Sequence, residues 1–264
     1  MANSIHSAAF IAPSAQIGDN VTIGPCAYIE DDVVIGDNCI IDAFASIKQY
    51  TTLGKGNHIH SYAMVGGEPQ DLKFHGEKSE LIIGDNNNIR EFSTMHRGTE
   101  AGSLVTKIGN NNLIMAYCHI AHDCQLGNNI VMSNNATLAG HCIVDDFAIL
   151  GGLSAVHQFT RIGTHAFVGG ASGIPQDLPP YMLAVGNRAT VHSPNIVGLR
   201  RMKASQELFS AIKQAFKLTW QSDIPRPDAL DQLEAEYGHL PEIRTYIEFI
   251  RQSKRGILTN ESKD

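Results

Sequence analysis

For most of its length this chain places a large aliphatic residue at every sixth position. From Ile5 the register runs Ile11, Ile17, Ile23, Ile29, Ile35, Ile41, Ile47, Leu53, Ile59 and Val65. It resumes at Ile83, Ile89 and Met95, breaks once more, and then runs without a gap from Ile108 to Ile174. No polar residue falls on any of these beats. Four places after each beat the residue is restricted again, to Ala9, Ala15, Val21, Ala27, Val33, Cys39 and Ala45 early, and to Cys118, Cys124, Ala136, Cys142 and Ala148 late. Gly often follows the aliphatic (Gly18, Gly24, Gly36, Gly54, Gly109, Gly127), as a corner needing unusual dihedrals would want.

One large aliphatic and one small residue per hexad mark a parallel β-helix of hexapeptide repeats. Each short strand turns its aliphatic inward, and successive coils stack about 4.8 Å apart. In proteins of this kind three hexads make one triangular turn and the coil is left-handed, an exception to the usual crossover hand; both properties are implied by the likeness. The small beat accounts for Cys39, Cys118, Cys124 and Cys142, which read as packing residues suited to a reducing compartment, since no C-x-x-C pair occurs. It also accounts for an aromatic content of only 7%. A coil filled by one branched and one small residue per hexad has no room for rings, which are expected in loops and in the C-terminal segment with Trp220.

The breaks locate excursions. Between Val65 and Ile83 the register would fall on Asp71 and Glu77, which cannot be core, so a loop over about 66–82 leaves the coil. A second covers about 96–107. Loops on a rigid scaffold are where binding residues tend to sit. After Ile174 the prolines Pro175, Pro179 and Pro180 mark an exit, followed by an irregular stretch to about Pro194. Helical spacing then takes over, with one helix around Leu208–Thr219, a second near Pro227–Tyr237 and a third near Pro241–Lys254. The chain therefore divides into 1–194, the β-helix, and 195–264, a small α-helical domain. The first part holds 9 Lys and Arg against 17 Asp and Glu, within an overall net charge of -7. The second is locally basic at Arg200, Arg201 and Lys203. An acidic chain is a poor nucleic-acid binder. No apolar run is long enough for a membrane helix, and no signal peptide opens the sequence.

Eleven of the 12 histidines lie before Asn195. With three hexads per turn, His122, Gly140 and Gln158 share one column on successive coils, with His141 and His157 beside it and His119 near. Three readings compete: surface polarity on a solenoid; a zinc site using His119, His122 and His141; and acid–base catalysis. For the last, Asp123 would favour and orient the His122 imidazolium, and a Gly140 N–H would lie close enough to stabilise an oxyanion.

At these residues the chain resembles the acyl-[acyl-carrier-protein]–UDP-N-acetylglucosamine O-acyltransferases of lipid A biosynthesis. The likeness rests on Cys118-His119-Ile120-Ala121-His122-Asp123-Cys124, on Asn135 to His141, and on Ala155-Val156-His157-Gln158-Phe159. It extends to Gln70-Asp71-Leu72-Lys73, to Met95-His96-Arg97-Gly98-Thr99, and to Asn195 through Arg201. It implies that His122 is the general base for the 3-hydroxyl of the glucosamine ring, that Asp123 orients it, and that the Gly140 N–H faces the oxyanion. The acyl donor would be an (R)-3-hydroxyacyl chain on acyl carrier protein. Asp71 and Lys73 would hold the sugar and diphosphate, and His119, His141, His157 and Gln158 would line the cleft. Asn195 and Arg201 would reach the nucleotide, and Gly170 would leave room for a long acyl chain. Arg200 and Lys203 would dock the acidic carrier protein. The resemblance further implies a cytoplasmic homotrimer with sites between neighbouring prisms, and neither a metal nor a diffusible cofactor.

Two positions depart from the family pattern. Val197 replaces a glutamate near the nucleotide, and Arg188 replaces a common histidine. The sister N-acyltransferases carry an N-terminal uridine-binding domain, for which a register starting at Ile5 leaves no room. A CoA-dependent acetyltransferase leaves the loop motifs unexplained. A γ-type carbonic anhydrase would need stoichiometric zinc, and a purely structural solenoid would need none of these motifs.

Overall fold

The structure, a computed structural model described over residues 2–260, is a left-handed parallel β-helix followed by helices. Three sheets of 11, 9 and 8 strands, parallel except for the last pair of the largest, form the walls of a prism, most strands being only two residues long. Partners are 18 residues apart wherever the coil is uninterrupted, as in Ile5 opposite Ile23 and Leu138 opposite Val156. The offset grows to 30 at Ile59 opposite Ile89 and to 25 at Ile89 opposite Ile114, where the two loops are inserted. The first loop departs after the strand Met64–Gly67 and returns at Glu80–Ile83; the second lies between Thr94–His96 and Val105–Ile108.

Burial follows the hexad. Ile29, Ile41, Ile59, Ile89, Ile114, Ile120 and Leu138 are fully buried, stacked along the axis. Ile5 is exposed because the first coil is the open end of the prism. The small beat is buried too, and its cysteines have a further use. The Sγ of Cys118, Cys124 and Cys142 each point at a corner carbonyl, of Ser133, Ala139 and His157, at 3.1–3.2 Å. Burial pushes the Cys118 thiol up to about 11, so it packs as a neutral group.

Two expectations from sequence are corrected at the corners. Gly18, Gly24, Gly36, Gly54, Gly109 and Gly127 do not take positive φ. The left-handed residue comes two places later and is almost never glycine: Asn20, Cys26, Asp32, Asn38, Phe44, Tyr50 and so on to Ala171. Gly24 and Gly36 are required by proximity instead, since a Cβ would fall 2.7 Å from the Ala43 nitrogen and 2.6 Å from the Gly54 oxygen of the next coil. Of the aromatic rings, expected in loops and helices, six do lie in the helices, but eight sit on these corners. Phe44, Tyr62, Phe92 and Tyr117 stack in a ladder with centroids 5.0–5.1 Å apart, and Phe147 stacks on His165 at 4.7 Å. A left-handed corner turns its side chain outward, and the coil spacing equals a ring-stacking distance.

The stretch before Pro194 is not irregular. Met182–Gly186 and Ala189–Pro194 form an antiparallel hairpin that continues the 11-stranded sheet. Buried Met182, Ala184, Ala189 and Val191 close the end of the prism with it. Four helices follow, not three: α1 (Ile196–Arg201), α2 (Gln206–Trp220), α3 (Arg226–Tyr237) and α4 (Pro241–Arg251). The short α1 lacks a long amphipathic stripe and is set by its N-cap, as Asn195 Oδ1 accepts the Gly198 N–H at 2.9 Å. The tail then returns to the coil, where Asp177 pairs with Ile257 and Val191 with Asn260.

Candidate active site

The centre of the site is a corner of the coil covered by the second loop. Asp123 occupies a left-handed position (φ +60°), and its backbone N–H is held by Thr106 Oγ1 at 2.7 Å. The chain reversal there brings two adjacent side chains together, so that His122 Nδ1 lies 2.8 Å from Asp123 Oδ2. Asp123 is 5% exposed and would be costly to ionise alone. The second loop supplies the compensation. The Thr99 N–H and hydroxyl donate to it, the latter at 2.6 Å, and the Ser103 N–H donates at 2.9 Å. Burial pushes the carboxyl up, but these bonds and that from His122 outweigh it and hold Asp123 well below the usual carboxylate range. A Cβ on Gly102 would run into the Asp123 carboxylate, so only glycine lets the loop close over it.

With Nδ1 facing Asp123, His122 Nε2 is the outward nitrogen, 4.0 Å from Asp71 Oδ2 of the first loop. Gly140, one coil on, leans on the ring, and a Cβ there would lie 2.6 Å from His122 Cε1. The neighbouring N–H groups of Ala139 and His141 bond to Val156 and His122 carbonyls. Among the described residues the Gly140 N–H between them has no backbone acceptor. His141 sits edge-on to His122 at 5.0 Å and stacks on Phe159 at 4.4 Å. Burial lowers its pKa despite the nearby Asp123. His119 Nδ1 pairs with Thr94 Oγ1 at 2.8 Å, and burial and then His122 lower its pKa. Its ring meets the edge of buried His96, whose pKa falls to about 4 through burial first and then through its histidine neighbours.

The structure thus brings together His122, Asp123, Gly140, Asp71, His119 and His141. It does not gather all the sequence candidates. His157 is exposed and takes a hydrogen bond from Arg255 at 2.9 Å, and Gln158 beside it is also exposed. Lys73 is exposed in the first loop, its N–H bonded to Asp71. Asn195 and Arg201 line a separate cleft of about 350 Å³ with Phe147, His165 and Met202, and the Asn195 side chain is engaged by the α1 cap and the His165 carbonyl. Gly170 is exposed, and an added methyl would meet only the Gly152 carbonyl, at 3.3 Å. Arg200 and Lys203 are exposed, as is Arg188 on the hairpin.

Three contributors escaped the sequence reading. Thr99 and Ser103 hold the Asp123 carboxylate and Gly102 leaves room for it, and the one hint was the motif ending at Thr99. A cleft of about 1020 Å³ beside His141 is lined by Arg161, Arg251, Lys254 and Arg255. Three of these cations come from the end of α4 and the tail, which no repeat could align with the coil. Buried Arg97 stacks over Tyr50 and Phe74 and reaches Glu68, tying the two loops to the coil.

His122, Asp123 and His141 also stand within metal-ligand spacing. The Asp123 oxygens are already occupied by three donors from the second loop, which favours an orienting carboxylate over a ligand.

A family model described as UDP N-acetylglucosamine O-acyltransferase, domain 2, matches residues 177–258, and one for the bacterial transferase hexapeptide matches 32–67 and 106–140. An acyl-[acyl-carrier-protein]–UDP-N-acetylglucosamine O-acyltransferase of Aliarcobacter butzleri is 47% identical, over 98% of this chain and 99% of its own. The chain belongs to this acyltransferase family. Solved structures agree with the assignment. The UDP-N-acetylglucosamine acyltransferase of Bacteroides fragilis superposes with a TM-score of 0.94 at 43% identity, covering 96% of this chain and 99% of its own. That of Campylobacter jejuni gives 0.92 at 42% identity, covering 98% and 100%. The acyltransferase therefore shares both prism and helical segment with its relatives, and its loops and His–Asp pair lie within the shared length. No helix among the described residues is long and apolar enough to cross a membrane.

Proposed function

We propose that this acyltransferase moves an (R)-3-hydroxyacyl chain from acyl carrier protein to the 3-hydroxyl of UDP-N-acetylglucosamine, opening lipid A synthesis in the cytoplasm. The observation that carries the mechanism is His122, with Nδ1 fixed 2.8 Å from Asp123 and Nε2 turned toward the first loop. Nε2 removes the proton from the sugar hydroxyl as its oxygen attacks the thioester carbonyl. The oxyanion that forms takes the Gly140 N–H, and a preorganised donor of this kind is worth about 3–4 kcal/mol of barrier. Collapse expels the carrier thiolate, which recovers the proton from the imidazolium, so the His122–Asp123 pair ends as it began.

Asp71 and Lys73 are read as sugar and diphosphate contacts, with His119 and His141 lining the cleft, His157 and Gln158 at its edge, and Gly170 keeping the acyl path open. Asn195 and Arg201 lie in a different cleft of the same chain, so their reading as nucleotide contacts goes with a homotrimer whose sites lie between prisms. In that reading Asn195 acts through the α1 cap and Arg201 directly.

The test is turnover of UDP-N-acetylglucosamine with a panel of hydroxyacyl carrier proteins. His122→Ala should lose about 10²–10⁴-fold in kcat, the usual share of a general base. Thermal unfolding shows whether the variant keeps its fold. A folded variant with unimpaired turnover would place the base elsewhere, and no turnover by the parent with any donor would overturn the reading.

A further inference from the structure

Away from His122, the corner after the strands Ile40–Ile41 and His58–Ile59 gathers Asp42, His58 and His60 from two neighbouring coils. One oxygen, Asp42 Oδ2, lies 2.9 Å from His58 Nε2 and 3.3 Å from His60 Nδ1. All three ligand atoms fall within 4.8 Å of one another. The two imidazoles stack with centroids 3.8 Å apart, so both present a ring nitrogen to the same point. Ligand atoms on a tetrahedral zinc ion, at bond lengths near 2.0–2.1 Å, lie about 3.3 Å from each other. The spacing here needs only a small adjustment to reach it.

The next coil supplies an outer partner for one of these rings. His60 Nε2 lies 3.1 Å from Asn88 Oδ1, an acceptor placed to take the Nε2 hydrogen when Nδ1 turns its lone pair to a metal. An outer hydrogen bond that fixes a ring in this way is the usual companion of a metal-bound histidine. The three side chains are 17–34% exposed, which leaves an entry path and room for water as a fourth ligand. Glu91 approaches His60 at 3.9 Å, but both its oxygens are taken by Arg90 at 3.0 Å. The Arg90 charge is thereby balanced within the pair.

We propose that Asp42, His58 and His60 form a binding site for one zinc ion that clips two coils together just before the first loop. It plays no part in acyl transfer. The experiment is calorimetric titration of the chelator-treated full chain with zinc chloride, with thermal unfolding alongside. Wild type should take up an equivalent that Asp42→Asn lacks, and zinc should raise its midpoint by about 5 °C and that of Asp42→Asn by less. Asn88→Ala, which removes no ligand, should weaken this binding at least tenfold. Because His122, Asp123 and His141 have ligand spacing too, equal uptake and affinity in wild type and Asp42→Asn would place zinc there and overturn the proposal. His58→Gln provides the same comparison should Asp42→Asn not fold.

Discussion

Asp123 combines near-complete burial with a charge, and its stability contribution is therefore pH-dependent. Its folded pKa is depressed, so that contribution is complete above its unfolded value of about 3.9 and is lost as pH falls through the folded value. Thr99→Val removes the 2.6 Å hydroxyl donor and leaves the carboxylate under-bonded, a loss of about 1.5–3 kcal/mol for a bond to a charged group. Urea unfolding should show the variant less stable at pH 7, with the gap narrowing at pH 3 and below. An equal deficit at every pH would mean that Thr99 acts by packing alone. At this scale the sequence was partly legible. His122 and Gly140 could be set in one column because three hexads per turn, as the likeness implies, stacks positions 18 apart, whereas Thr99 and Ser103 lie in a loop with no period and reach Asp123 across 24 and 20 positions.

The coil shows which of two effects dominates its stability. Beyond the first coil the inward aliphatics lose nearly all contact with water, while the aromatic ladder keeps much of its surface exposed. Ile114→Ala should therefore cost about 2–5 kcal/mol through lost burial and a cavity. Phe92→Ala, though it removes the larger side chain, should cost only about 0.5–1.5 kcal/mol, the worth of its ring contacts. Denaturant midpoints of the two variants test the order, and a reversal would make the ladder the main stabiliser. The strands were legible because each carries its inward residue on a fixed beat. The hairpin of Met182–Gly186 and Ala189–Pro194 was not, since its alternation is short and follows three prolines. The corner glycines were found for a mistaken reason, because a sequence does not distinguish a dihedral need from a steric one.

For the whole molecule, the division of charge bears on how a carrier protein approaches. The excess of acid belongs to residues 1–194, whereas Arg200 and Lys203 stand exposed at the start of the helical segment and Arg251 and Lys254 at its end, beside half-buried Arg255. If the start of the helical segment receives the acidic carrier protein, Arg200→Glu with Lys203→Glu should raise KM for acyl carrier protein about tenfold or more at low salt and leave kcat nearly unchanged, with the effect shrinking as salt rises. An unchanged KM would assign the docking face elsewhere.

The left-handed corners carry a consequence for what such a scaffold can host. Among the described non-glycine residues with positive φ, none is Val, Ile or Thr; the set is mainly Asn, Asp, His, Phe, Tyr and Leu. Branching at Cβ is what such a conformation tolerates least. Each corner is thus a socket that admits an acid, an imidazole or a ring, excludes side chains branched at Cβ, and recurs at a fixed height along the prism. Asp123 and His141 occupy two of these sockets on adjacent coils. A reaction centre in this architecture is drawn from a vocabulary that the backbone has already edited.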